Sequence, residues 1–253
     1  MKHLVIPDCQ VKPKVDTSYL HCIGNYIVAK QPDVIVCIGD FADMPSLSSY
    51  DTNKKSFEGR TYKADVKSVH TGMELLLGPL WDYQDRQRKD KKKMYRPRMI
   101  LTLGNHEDRI DRAINTDRKL EDLISIGDLN YEHYGWEVYP FLDVVVVDGV
   151  AYSHYFASGV MGRPVTSAQA LINKKHMSCF AGHQQGRQIA YARKADGTEI
   201  TCIIAGSCYL HNEDYLSSQG NNHWRGVYML HEVNNGAFDE MAVSLRYLMK
   251  EYK

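Results

Sequence analysis

A chain of 253 residues with 31 basic and 31 acidic side chains has no net charge, so no global field points to nucleic acid or membrane and any charge argument is local. The length suits one large α/β domain or two small ones, and without a Pro/Gly/Ser-rich divider a single domain over residues 1–253 is expected. No long apolar run occurs, and Met1-Lys2-His3 leads directly into a short strand and Asp8, so a soluble, cytoplasmic protein without membrane contact is expected.

In chain order, residues 2–7 read as a strand and residues 17–30 as a helix with apolar positions at Leu20, Ile23, Ile27 and Val28. Pro32 closes that helix and residues 33–38 form a second strand, a βαβ start. Residues 44–60 lack periodicity and read as a loop able to lie over a site. A long helix is expected over residues 62–89, interrupted or kinked near Gly78-Pro79. It leads into a basic run of Arg86, Arg88, Lys89, Lys91, Lys92, Lys93, Arg96 and Arg98, which is either a nucleic-acid contact or a solvated helix end. Helical segments are expected at 108–115 and 117–126, a Val-rich strand at 142–147, and a hairpin turn at Asp148-Gly149 into a strand ending near His154. A helix over 166–175 is followed by strands at 177–181, 188–193, 199–205, 226–232 and 241–248. The six cysteines form no CxxC pair and read as core thiols, with Cys9 turned away from whatever Asp8 and Gln10 face.

Several of the apolar segments end alike. In residues 99–107 a buried-type strand stops at Gly104 and then presents Asn105, His106 and Glu107, polar groups that a packed interior does not tolerate unpaired. Residues 4–6 precede Asp8, residues 34–38 precede Gly39-Asp40, residues 150–152 precede His154, and Cys179-Phe180 precedes Gly182-His183. Strands that deliver metal-type ligands at their carboxyl ends describe a crevice at the edge of an α/β sheet.

Asp8-Cys9-Gln10, Gly39-Asp40 with Asp43, Gly104-Asn105-His106-Glu107, His154 and Gly182-His183-Gln184-Gln185 stand in the order used by the calcineurin-like metallophosphoesterases, which the chain resembles from Asp8 to Gln185. The stretch 39–46 is similar to phage-encoded members, for which the location would be the host cytoplasm. The resemblance implies an α/β fold, the calcineurin-like αββα sandwich of two mixed β-sheets flanked by helices, with two divalent metal ions at the strand ends. It implies Asp40 as the bridging ligand, Asp8, Gln10 and Gln185 on one ion, and Asn105, His154 and His183 on the other, with a shared hydroxide attacking phosphorus in line. His106 is then the proton donor to the leaving group, oriented by Asp43, which raises its pKa. Glu107 either fixes the turn or acts as a first-turn helix carboxylate.

The chain departs from that pattern at three positions. The first motif ordinarily reads Asp-x-His and the last Gly-His-x-His, whereas here glutamine stands at Gln10 and Gln185, and both fall on the same ion. Amide oxygen hardens that ligand set, so Mn2+ is expected, with Mg2+, Fe2+ or Zn2+ as alternatives, or else a weak or empty first site. Met44 stands where protein phosphatases carry an arginine.

His211, Glu213 and Asp214, followed by His223, Trp224 and Arg225, read as a late loop that closes over the site. With Asn105, the last three are expected to touch substrate, Trp224 by stacking on a base and Arg225 by clamping a phosphate; for Trp224 a core position is the alternative. His3, His21, His70, His133, His176 and His231 read as structural or solvated, and Ser207 lacks a nucleophile-elbow pattern. The expected function is a phosphodiesterase of nucleic acid or nucleotides. Alternatives are a phosphomonoesterase of the protein-phosphatase kind and a weakened member serving as a scaffold.

Overall fold

The computed structural model describes residues 1–49, 57–213 and 216–253. The middle of the expected loop 44–60, and Asp214, lie outside the described residues.

Alternation at period two sorts the strand residues onto opposite faces, and the described residues form two mixed sheets. In the first, β1 (His3–Ile6), β2 (Val34–Cys37), β3 (Arg98–Thr102) and β4 (Glu137–Tyr139) run parallel, while β10 (Gly226–Asn234) and β11 (Ala237–Ser244) extend it antiparallel on the far side of β1. Val5 registers with Val36, and Val36 with Ile100. In the second, β6 (Val150–Ser153), β7 (Cys179–Ala181) and β9 (Glu199–Ile204) are parallel, flanked by antiparallel β5 (Val145–Val147) and β8 (Gln188–Arg193).

Leu4, Ile6, Ile35, Cys37 and Leu101 face one way, into a core completed by helices α1 (Tyr19–Lys30), α2 (Tyr62–Lys89) and α5 (Leu245–Glu251). Val5, Val34, Val36 and Ile100 face the other way and meet Tyr152, Phe180 and Ile203 of the second sheet. On the outer side of that sheet Cys179, Ala181, Cys202 and Ile204 meet Leu171 and Ile172 of α4 (Ala168–Lys175). Three apolar layers between four structural ones make an αββα sandwich of two mixed β-sheets flanked by helices, the architecture the sequence implies. All six cysteines are buried and free. Among the described residues no helix is long and apolar enough to cross a membrane.

Two expected elements are corrected, and the interruption expected near Gly78-Pro79 in a third is not found. Residues 245–251 are helical where a strand over 241–248 was expected: Met241, Val243, Leu245 and Tyr247 alternate, but Ser244 caps a helix by accepting the N–H of Tyr247 at 3.2 Å, and Leu245 and Leu248 bury one side of it. The helix expected over 117–126 is replaced by short 3-10 turns at Arg118–Leu120 and Ile126–Leu129, because Leu123 finds nothing to cover it and is 71% exposed. Helix α2 runs unbroken through Pro79. There α1 approaches closely: a Cβ on Gly24 would lie 2.4 Å from the Leu76 carbonyl oxygen, so packing holds the turn that proline weakens.

The basic run lies away from the site. It closes the carboxyl end of a 28-residue helix whose amino end, at Thr61 and Ala64, borders the site cavity; at 1.5 Å per residue the two ends are roughly 40 Å apart. Arg88 pairs with Asp85, Lys92 with Asp90 and Arg98 with Glu137, all exposed. The run is therefore remote from the site.

Candidate metal centre

The carboxyl ends of β1, β2, β3, β6 and β7 open onto one edge of the sandwich, and the polar residues that follow them converge there. Ligand atoms of Asp40, His154 and His183 all lie within 4.8 Å of one another. Asn105 Oδ1 sits between the two imidazoles, 2.9 Å from His154 Nε2 and 2.8 Å from His183 Nδ1. Backbone geometry aims these groups: Asp40 and His183 adopt left-handed φ values of 49° and 67°, as does Gln10 at 44°, a strained conformation that clusters at functional sites. The glycines before them make room. A Cβ on Gly104 would lie 2.1 Å from Asp40 Oδ1, and one on Gly182 would lie 2.3 Å from Asp8 Oδ1.

The donor chemistry fits a cation. His154 Nδ1 donates to the Ile38 carbonyl at 3.0 Å, which leaves the Nε2 lone pair facing Asn105 Oδ1 and, at 3.4 Å, Asp40 Oδ2. Burial lowers the His154 pKa, and burial together with His154 pushes His183 down to about 4, so both imidazoles are neutral donors at neutral pH. Burial and the neighbouring Asp40 charge drive Asp8 well above the usual carboxylate range. Burial opposes ionisation of Asp40 as well, but the imidazoles of His106 and His154 outweigh it and hold its carboxyl below the ordinary value. Facing lone pairs and adjacent buried carboxylates repel one another unless positive charge lies among them.

Of the remaining expected ligands, Asp8 and Gln10 are tied to this cluster by hydrogen bonds. Asp8 is fully buried and its carboxylate accepts the backbone N–H of His183 at 3.1 Å, though it lies outside the group of three. The Gln10 backbone N–H donates to the Asp40 carbonyl at 2.8 Å, while its side-chain oxygen is buried without a hydrogen-bond partner. Gln185 Oε1 accepts from the Tyr209 hydroxyl at 2.8 Å. Because Gln10 is left-handed, strand alternation does not govern this turn; Cys9 nevertheless points into the helix-side core.

His106 stands beside the cluster, with Nδ1 2.8 Å from Asp43 Oδ1 and Nε2 3.7 Å from Asp40 Oδ2. Burial works to lower the imidazole pKa, but the Asp40 charge and the Asp43 hydrogen bond outweigh it and hold the ring above its ordinary value. Burial likewise opposes the Asp43 charge, yet His106, Lys12 and Arg109 keep that carboxyl far below the usual range. Arg109 is a residue the sequence reading misses. Its Nη1 donates to the Asp43 carbonyl at 2.7 Å and its Nη2 lies 3.1 Å from His106 Nε2. Glu107 fixes the turn, the first of its two expected roles: Oε2 accepts from the Asp40 and Gly104 N–H groups at 3.0 and 2.9 Å, and Oε1 accepts from Ala42 N–H at 2.8 Å.

A cavity of about 940 Å³ opens over Asn105, His106 and His183, walled by Lys12, Arg109, Arg112 and Tyr155 among others. His223, Trp224 and Arg225 are not among the residues that line this cavity. Trp224 packs on the inter-sheet core, with the Arg187 guanidinium 4.9 Å from its ring. Arg225 donates to the Leu210 and Asn221 carbonyls at 2.7 and 3.0 Å, and His223 Nδ1 donates to the Gly220 carbonyl while Nε2 meets Ser207 Oγ at 2.7 Å. Their polar groups are spent on holding the late loop together. From that loop Asn212 and Glu213 do reach the cavity.

No family model and no curated protein matches the chain. Among solved structures it is similar to a conserved uncharacterized protein, a predicted phosphoesterase, from Streptococcus pneumoniae TIGR4, at 11% identity over 96% of this chain and 99% of that chain, with a TM-score of 0.33. The functional reading rests on the site itself.

Proposed function

We propose that the protein is a metal-dependent phosphodiesterase acting on diesters of about nucleotide size. The observation that carries the reading is the convergence of Asp40, Asn105, His154 and His183 beside the His106–Asp43 pair. Two divalent cations would be held by Asp40 together with Asn105, His154 and His183 on one side and Asp8, Gln10 and Gln185 on the other. Two amide oxygens on the second set favour Mn2+ or Mg2+ over Zn2+. When bound, such cations would supply Lewis-acid polarisation of the ester and acidify a water near neutral pH. The chain supplies the rest. As the oxygen of an attacking water bonds to phosphorus, the bond from phosphorus to the leaving oxygen breaks, its electron pair stays on that oxygen and His106 Nε2 gives it a proton. Asp43 holds the ring by Nδ1, and Arg109 Nη2, 3.1 Å from Nε2, is placed to donate to the neutral ring that results.

A diester is favoured over a dianionic monoester because three of the cations on or beside the cavity wall are already matched. Lys12 pairs with Asp43 and Glu213, Arg109 with Asp43 and Arg112 with Asp108, which offsets part of the side-chain charge that a second phosphate charge would need. The cavity volume suits a small ligand. The test supplies metal-stripped protein with Mn2+, Mg2+ or Zn2+ and offers an aryl phosphodiester, the matching monoester, and single- and double-stranded DNA. Turnover of the diester that His106→Ala abolishes supports the reading. Turnover of the monoester alone, or of no ester with any metal, contradicts it.

A further inference from the structure

The Asp43 carboxylate has two oxygens, and only Oδ1 faces His106. The other, Oδ2, accepts from Lys12 Nζ at 2.8 Å; the same ammonium reaches Glu213 Oε1 at 2.6 Å, and that oxygen lies 2.6 Å from His211 Nε2. A continuous row thus runs from the imidazole of His106 through Asp43, Lys12 and Glu213 to His211, joining the turn after β1 to the loop before β10. Its members are largely buried: the Asp43 and Glu213 side chains are each 7% exposed and that of Lys12 is 17% exposed. The Glu213 end is anchored, since its N–H donates to Asn221 Oδ1 at 2.9 Å and its carbonyl accepts from Asn221 Nδ2 at 3.1 Å.

Arg109 cannot do the work of Lys12. It donates to the Asp43 carbonyl and, at 3.2 Å, to Oδ1, the oxygen that His106 already uses, and so it gives Oδ2 no partner. Lys12 alone among the described residues holds Oδ2 by an ion pair, and Glu213 keeps the long lysine side chain from relaxing toward solvent.

We propose that Lys12 and Glu213 are positioning residues for the proton donor: they lock the Asp43 carboxylate in the orientation that keeps Oδ1 on His106 Nδ1. This rests on the reading of His106 as donor to the leaving oxygen. A group that orients the donor matters in proportion to the leaving group's need for a proton. A phenolate leaving group needs the proton; a p-nitrophenolate leaves well without it.

The test uses the full chain with Lys12→Met, Glu213→Gln and the conservative Lys12→Arg, each assayed with Mn2+ on matched phenyl and p-nitrophenyl methyl phosphodiesters. With Lys12→Met and Glu213→Gln, kcat for the phenyl ester falls about tenfold while that for the p-nitrophenyl ester changes less than about twofold, KM is unmoved, and Lys12→Arg recovers most of the loss. An equal fall on both esters, a rise in KM alone, or no change overturns the proposal. A second measurement needs neither metal nor turnover. In metal-free protein the proton NMR signal of His106 Nδ1–H, assigned by its absence in His106→Ala, exchanges with water at least about tenfold faster in Lys12→Met and Glu213→Gln than in the parent chain. Unchanged exchange overturns the proposal. If the parent chain turns over neither ester, the phosphodiesterase reading fails and the exchange rates alone decide whether the lock exists.

Discussion

Glu107 holds Asp40 from behind: Glu107 Oε2 accepts the Asp40 backbone N–H at 3.0 Å, so a side chain outside the donor cluster fixes the strained residue at its centre. The same carboxylate gathers Gly104, Ala42 and the Tyr131 hydroxyl, tying the ends of β2 and β3 into one unit. Glu107→Gln would set an amide NH2 against N–H donors in a fully buried site. We expect a loss of roughly 2–4 kcal/mol in urea unfolding and a fall in Mn2+ affinity of about 10- to 100-fold.

Glu107 and His183 make opposite contributions to stability with pH in the metal-free protein. Burial and the Asp40 charge push Glu107 up to about 7, so the folded state holds this proton more tightly than the unfolded chain; its contribution is fully present below the ordinary carboxylate range and lost as pH rises through about 7. His183, pushed down to about 4 by burial and by His154, contributes stability that is present above its ordinary 6.5 and lost as pH falls toward 4. Urea titrations across that range check both signs. The stability gap between the parent chain and Glu107→Gln narrows as pH rises, and the gap between the parent chain and His183→Asn narrows as pH falls.

Gly104 tests whether the close approach of β2 and β3 makes the site. Its missing side chain leaves room for Asp40, whose amide nitrogen would lie 2.3 Å from a Cβ there and whose Oδ1 would lie 2.1 Å away. Since backbone cannot yield cheaply, Gly104→Ala should cost about 2–4 kcal/mol and abolish metal binding. Gly159→Ala, with open space around the added Cβ, should leave unfolding and metal binding unmoved.

His106→Ala should separate binding from chemistry. The ring is 3.7 Å from Asp40 and its partners are Asp43 and Arg109, so the converging donors survive its removal. We expect Mn2+ affinity to hold within about threefold while kcat on a diester with a poor leaving group falls about 10²- to 10⁴-fold. Calorimetric titration and steady-state kinetics on the same preparation check both.

Much of the fold was legible because period two does the sorting: Val5 and Val36 face the second sheet while Leu4, Ile6, Ile35 and Cys37 face helices, a division already present in the order of residues. Where two periods fitted one segment the reading failed, as at residues 245–251, whose alternation masked the i, i+3 pair Leu245 and Leu248 and the Ser244 cap. An amphipathic spacing without a surface to cover misled in the same way at Leu123. In the site, a glycine after an apolar strand marked where polar groups would emerge. Lys12 and Arg109 left no such mark, since their partner Asp43 is far away in sequence and an exposed-looking lysine or arginine carries no sign of burial. Residue type alone did not tell which neighbours Trp224 and Arg225 have: the packing sets the Arg187 guanidinium over the Trp224 ring and the Leu210 and Asn221 carbonyls on Arg225.

The central claim is that Asp40, Asn105, His154 and His183 hold a divalent cation between them. The most direct measurement is calorimetric titration of metal-stripped protein with Mn2+, set beside Asp40→Asn and His154→Ala. We expect micromolar or tighter binding that weakens at least about 100-fold in each variant. Affinity unchanged by either substitution, or no binding to the parent chain, would contradict the account.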